Sequence, residues 1–115
     1  MVKTSELTGA ALDWAVAKCA EVSVRWSEAH RQILLVGRPY VVWQPHKNWA
    51  QGGPIIEREE IALAPGYYWE ANKQIDVRGL SQYVVERGET TLIAAMRCYV
   101  ASKLGDEVQL PEELS

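Results

Sequence analysis

ETTLIAAMRCYVASKLG, residues Glu89–Gly105, decides the fold class. Thr90 follows Gly88 and is a capping residue whose hydroxyl can accept from the open N–H groups of a first helical turn. Leu92, Ala95, Met96, Tyr99 and Lys103 then recur down one face, and Ile93, Val100 and Leu104 widen the apolar stripe. Gly105 supplies the stop, and Lys103 suits the negative end of the helix dipole. The pattern predicts a deeply buried helix over about residues 90–104. A helix this apolar needs partners on more than one side, and the rest of the chain must provide them.

The first residues supply a second helix. Thr4 or Ser5 caps ELTGAALDWAVAKCAE, in which Leu7, Ala11, Trp14 and Ala15 share a face, with Asp13 and Lys18 off it. Gly9 weakens the first turn without refuting it. The predicted helix spans about residues 5–20. Between the helices the period changes to two. EVSVRW alternates Val22, Val24 and Trp26 with polar residues, while RQILLVG and PYVVWQ are split by Gly37-Arg38-Pro39. IALAP, YYWEA and QYVVE read as further short strands, divided by Gly66, Asn72-Lys73 and Gly79.

These elements predict an α+β fold: a mainly antiparallel sheet packed by the two terminal helices, with a short central helix at about residues 54–60. An α/β/α-like layering fits the same order. The chain reads as one domain over 1–115, with 106–115 (DEVQLPEELS) as an acidic tail expected to fray.

Composition narrows the functional classes. The chain has 48% hydrophobic and 23% charged residues, as globular domains do. Its longest apolar runs are far shorter than a membrane span, and the first residues carry Glu6 and Asp13 without an apolar signal core. A cytoplasmic location without membrane attachment is the expectation. Cys19 and Cys98 stand apart and beside no histidine, so they read as small buried hydrophobes rather than a disulfide or metal pair. A net charge of −3 argues against nucleic acid as partner, although residues 22–51 hold Arg25, Arg31, Arg38 and Lys47 against Glu28 alone.

The densest stretch is NWAQGGPIIERE, Asn48–Glu59. Proline is preferred at the first helical position, so Gly53-Pro54 can open a helix that turns Ile55 and Ile56 inward and Glu57 and Arg58 outward. Alternatively, Asn48 caps an earlier start and Pro54 kinks the helix. A third reading is functional: Gly52 and Gly53 permit close backbone approach, and a helix start offers N–H groups to an anion. No phosphate-loop fingerprint accompanies them. Tyr40, Trp43, Trp49, Tyr67, Tyr68 and Trp69 crowd the same third of the chain. With no Phe present, most must fill the core; Trp49, between polar Asn48 and Gln51, is the expected exception, and Trp69 is a second stacking candidate.

Catalytic residues are not evident. His30 and His46 lie outside any metal-binding spacing, Cys19 is a poor nucleophile on a buried helix face, and Glu57 with Glu60 brackets Arg58 as on a solvated surface. No cofactor or metal is expected, and the chain leans away from enzymes. The candidate site is therefore a binding surface: Asn48, Trp49, Gln51, Gly52, Gly53, Glu57, Arg58 and Trp69. The leading reading is a non-catalytic module that binds another protein. The alternatives are a small anionic or nucleotide-like ligand at Gly52-Gly53-Pro54, and single-stranded nucleic acid along residues 22–51. Homodimerisation suits a domain of this size.

Three blocks carry a family resemblance: TSELTGAALDWAVAKC (4–19), NWAQGGPIIERE with the two residues after it (48–61), and LIAAMRCYVASKLGDEV with the residue before it (91–108). Together and in this order they resemble the NinX-like family of phage and prophage proteins. The Trp-x-x-Gly-x-Pro segment between two terminal helices is also similar, more distantly, to small phage domains with α/β/α sandwiches. The resemblance implies a phage or prophage protein acting in the bacterial cytoplasm, and a host or phage protein as the partner of the binding module. It brings no catalytic residue with it, and it singles out Trp49, Gly52, Gly53, Pro54, Glu57 and Arg58 as motif positions.

Overall fold

The C-terminal helix is the axle of the molecule. In the computed structural model, which describes residues 1–114, α3 (Thr91–Leu104) buries Leu92, Ala94, Ala95, Met96, Cys98, Tyr99, Val100 and Ala101, almost its whole circumference. Thr90 caps it as expected, its Oγ1 accepting from Ile93 N–H at 3.1 Å, and Gly105 ends it at φ 86°. One side of α3 packs on an antiparallel sheet of β5 (Ala62–Ala64), β6 (Trp69–Val77) and β7 (Leu80–Gly88), in the order β5-β6-β7. Its other sides receive α1 (Gly9–Ala20) and α2 (Trp49–Arg58).

The α+β class holds, with 3 helices and three separate antiparallel sheets rather than one. The second sheet joins β2 (Val24–Ser27), β3 (Gln32–Leu35) and β4 (Arg38–Val42); it leans on α1 through buried Ile33. The third is a two-residue pairing of β1 (Val2–Lys3) with β8 (Glu107–Val108), with Val2 opposite Val108. The α/β/α layering does not form. Among the described residues no helix covers the far face of β5-β6-β7, where Tyr83, Val85 and Arg87 stand exposed.

Besides the start of α2, four boundaries differ from the sequence reading, each for a local reason. Residues 4–6 form a 3₁₀ turn, so α1 begins only at Gly9. Buried Leu7 packs from outside the helix, and the buried face runs through Leu12, Asp13, Val16 and Ala17. The turn before β4 centres on Val36-Gly37, leaving Arg38 and Pro39 in the strand. Asn72-Lys73 do not interrupt β6, because Lys73 reaches under the sheet and donates to the Glu59 carbonyl at 2.7 Å. Of the segment expected to fray, residues 106–108 return to the body, and Ser115 lies outside the described residues. Val108 is buried, and Thr4, itself buried, donates from N–H to Asp106 O (2.8 Å) and from Oγ1 to Gly105 O (2.6 Å).

Candidate functional site: the corner between β4 and α2

After β4 the chain must reverse before α2, and Trp43-Gln44-Pro45-His46-Lys47-Asn48 makes that corner. Trp43 and Pro45 are buried and anchor it. The Trp43 indole Nε1 donates to the Asp13 carbonyl at 2.9 Å. The Asp13 carboxylate, 2% exposed as a residue, then meets His46 twice. Oδ1 accepts the His46 backbone N–H at 3.0 Å, and Oδ2 lies 2.6 Å from ring Nδ1. A buried carboxylate needs such partners because burial alone strongly disfavours its charge. Burial pushes the Asp13 carboxyl above its ordinary value, and the His46 hydrogen bonds and the charge of Lys47 pull against it.

The α2 side is fastened by amides. Asn48 Oδ1 accepts from Ala50 N–H at 2.9 Å, the cap of α2. Gln51 bridges back to the strand, its Oε1 accepting from Gln44 N–H (2.7 Å) and its Nε2 donating to Val42 O (2.9 Å). Gly52 lies where α2 touches its neighbours most closely: a Cβ there would stand 2.6 Å from Pro45 O and 2.7 Å from Leu92 Cδ2. The outer side of this fixed corner presents Trp49, 55% exposed, and Lys47. Two shallow clefts meet at His46 and Lys47. One, of about 220 Å³, runs from Trp49 to Thr91 and Ile93; the other, of about 340 Å³, runs to His30, Arg31 and Gln32. Among the described residues, His46 Nε2 has no hydrogen-bond partner and is not sealed from solvent.

The eight residues singled out from sequence are not one surface. Asn48 and Trp49 stand at the corner, Gln51 serves as its internal clamp, and Gly52 and Gly53 lie inside α2. The helix starts at Trp49, not Pro54, and Gly52 N–H donates to Asn48 O at 2.9 Å. The proposed anion cradle at Gly52-Gly53-Pro54 therefore has no open helix terminus to offer; the earlier start capped by Asn48 is the one that forms. Glu57 and Arg58 sit at the other end of α2, about 13 Å away at the helical rise per residue. Arg58 is engaged internally, donating to Glu59 Oε2 at 3.1 Å and to the Tyr99 hydroxyl at 3.4 Å. Trp69 is half-buried and packed against the core.

Asp13 and His46 were missed. The available signal was helical phase: with Val16 and Ala17 as an inward pair, Asp13 lies between them on the buried stripe and demands a partner. The described residues contain no group of three His, Cys, Asp or Glu side chains arranged to hold a metal, and no helix long and apolar enough to cross a membrane.

No curated protein matches the chain. A family model described as "Bacteriophage P22, NinX" matches residues 3–103, covering all three resembling blocks nearly in full as well as segments 20–47 and 62–90 between them. The chain thus belongs to the phage NinX family.

Proposed function

We propose that this phage accessory protein acts by binding a host or phage protein through the corner around Trp49, without catalysing a reaction. The observation that carries the reading is an exposed indole on a backbone held in place from three sides: by Asp13–His46, by the Asn48 cap and by the Gln51 bridge. Exposed tryptophan is costly to keep in water, and a fixed one loses little freedom on docking, which is the profile of an interface anchor. Lys47 in the same cleft, with His30 and Arg31 in the adjoining one, favours an acidic partner surface. Tagged wild type, Trp49→Ala and Tyr67→Ala should be compared in pull-downs from infected-cell lysate. Tyr67 is a still more exposed aromatic on another loop. The expected result is a partner lost in Trp49→Ala alone; identical partner lists for all three proteins remove the corner as the interface.

A second reading rests on His46 Nε2 and Lys47, which open on both clefts: a small anionic or nucleotide-like ligand seated there, with Trp49 beside it. Tryptophan fluorescence and thermal shift against a nucleotide panel test it. A shift abolished by Lys47→Ala supports this reading, and no shift at millimolar ligand eliminates it.

A further inference from the structure

β7 is an edge strand and, at 9 residues, the longest edge among the described residues. Its hairpin with β6 turns through Arg78 (φ 53°) and Gly79 (φ 81°), a two-residue loop of the type that matches strand twist. In such a hairpin the flanking pair, here Val77 and Leu80, exchanges both backbone hydrogen bonds, and bonding then alternates along the strand. Gln82, Val84, Glu86 and Gly88 therefore face β6, while Ser81, Tyr83, Val85 and Arg87 turn their N–H and C=O groups outward. Arg87 agrees with this parity: its carbonyl accepts from Arg97 Nη1 at 2.8 Å. Ser81, Tyr83 and Val85 have no backbone partner on that side among the described residues.

The devices that normally blunt an edge are missing over this stretch. β7 holds no proline and no lysine, and its pairing with β6 runs from Trp69 to Gly88 without a register shift. Apolar side chains are instead exposed along it: Leu80 (67%), Tyr83 (66%) and Val85 (48%). Where β7 approaches α3, a groove of about 600 Å³ opens, lined by Tyr68, Ile93, the carboxylates Glu86 and Glu89, and two arginines already engaged, Arg87 with Glu70 and Arg97 with the Leu7 and Arg87 carbonyls.

We infer that this edge pairs with the same edge of a second copy of the chain, antiparallel about a twofold axis at Tyr83. Tyr83 then faces Tyr83 of the second copy, and Ser81 faces Val85, so about six backbone hydrogen bonds form from groups otherwise left to water. Pairing stops before Arg87, whose carbonyl Arg97 already holds. The same register brings Leu80 of each copy opposite Glu86 of the other, and Arg78 opposite Gly88, at the mouth of the groove. Arg78 has no carboxylate within 4 Å in its own chain, and Glu86 and Glu89 have no cation within 4 Å, among the described residues. The Arg78 cation and the two unpaired carboxylates at the groove, Glu86 and Glu89, are complementary, and both belong to the same chain. That self-complementarity selects a second copy as the occupant. A contact this narrow is at the weak end of specific interfaces, so the dimer should dissociate on dilution.

Sedimentation equilibrium from micromolar to millimolar protein tests the inference. Wild type should move from monomer to dimer across that range. Tyr83→Pro removes only an outward N–H and should remain monomeric throughout, with an unchanged far-ultraviolet spectrum. Arg78→Glu should weaken association at least tenfold, and adding Glu89→Arg to it should restore most of the loss; this pair decides the matter if Tyr83→Pro fails to fold. A wild type that stays monomeric at millimolar concentration, or a dimer indifferent to the Arg78/Glu89 exchange, overturns it.

Discussion

Asp13 spends both carboxylate oxygens on one residue, His46, thirty-three positions away in the sequence. The pair fastens the β4–α2 corner to α1, and its two members are not equivalent. Without the imidazole, a carboxylate remains buried with only a backbone N–H. Replacing the carboxylate instead leaves a ring that reaches solvent at its other nitrogen. His46→Ala should therefore cost about 3 kcal/mol, in the range for breaking a buried pair, and Asp13→Asn only about 1 kcal/mol because an acceptor oxygen is kept. Urea unfolding of the two variants measures the difference. The reverse order would mean that the corner is held by Trp43 and Gln51 and not by this pair.

Gly52 and Gly53 are neighbours on α2 with opposite expected responses to alanine. A Cβ at Gly52 would meet a carbonyl oxygen at 2.6 Å and a Leu92 methyl at 2.7 Å. The backbone oxygen cannot rotate away, so Gly52→Ala should destabilise by about 2–3 kcal/mol through overpacking. At Gly53 the nearest atom is Trp49 Cε3 at 3.5 Å, ordinary van der Waals contact. There the better helix propensity of alanine should stabilise by about 0.5–1 kcal/mol. Thermal unfolding should show opposite shifts; parallel shifts would show that α2 adjusts its packing freely.

What was legible in the sequence follows from which residues carry their meaning locally. The Thr90 cap, the apolar stripe through Met96 and Tyr99, and Gly105 all act within α3, so its limits were readable. The boundary of α2 was ambiguous because Asn48 and Pro54 are both good start signals, and the choice is made by tertiary fit: Gln51 and Gly52 must lie within the helix to reach Val42 and Pro45. Asn72-Lys73 looked like a turn because a lysine inside a strand normally seeks water. Its solution, reaching Glu59 from α2's end, involves no neighbour in sequence. The candidate site was half readable for the same reason. Trp49 announced itself by its polar flanks, whereas Asp13 and His46 acquire their roles only from each other.

The two cysteines provide a check on the core. Burial pushes the Cys98 thiol up to about 12 and the Cys19 thiol up to about 11. Both are then thiols rather than thiolates at neutral pH, and Cys98 Sγ is 3.4 Å from the Val84 carbonyl. Native protein should react with a thiol-specific chromogenic disulfide at least a hundredfold more slowly than urea-unfolded protein, which should release two equivalents. Fast reaction of one thiol in native protein would locate an opening of the α1–α3 interface.

Glu59 gives the fold a signed dependence on pH. Just beyond α2, its carboxylate lies 3.1 Å from Arg58 Nε and 3.5 Å from both Lys73 Nζ and Lys103 Nζ, joining three elements. Burial raises the affinity of this carboxyl for a proton. The Arg58 hydrogen bond and the charges of Lys103 and Lys73 together outweigh that, and hold it below its ordinary 4.5. A carboxyl with a lower value in the folded state stabilises the fold while ionised. That contribution is complete above the unfolded value and vanishes as pH falls through the folded one. Against Glu59→Gln, wild type should be more stable by about 1–2 kcal/mol at neutral pH, between the worth of exposed and buried pairs. The difference should be constant down to about pH 5 and shrink towards zero as the solution is made more acidic. Because the Lys73 bond to the Glu59 carbonyl survives the substitution, the variant should still fold. A stability difference that persists unchanged at acidic pH would assign the effect to packing and not to the charge of Glu59.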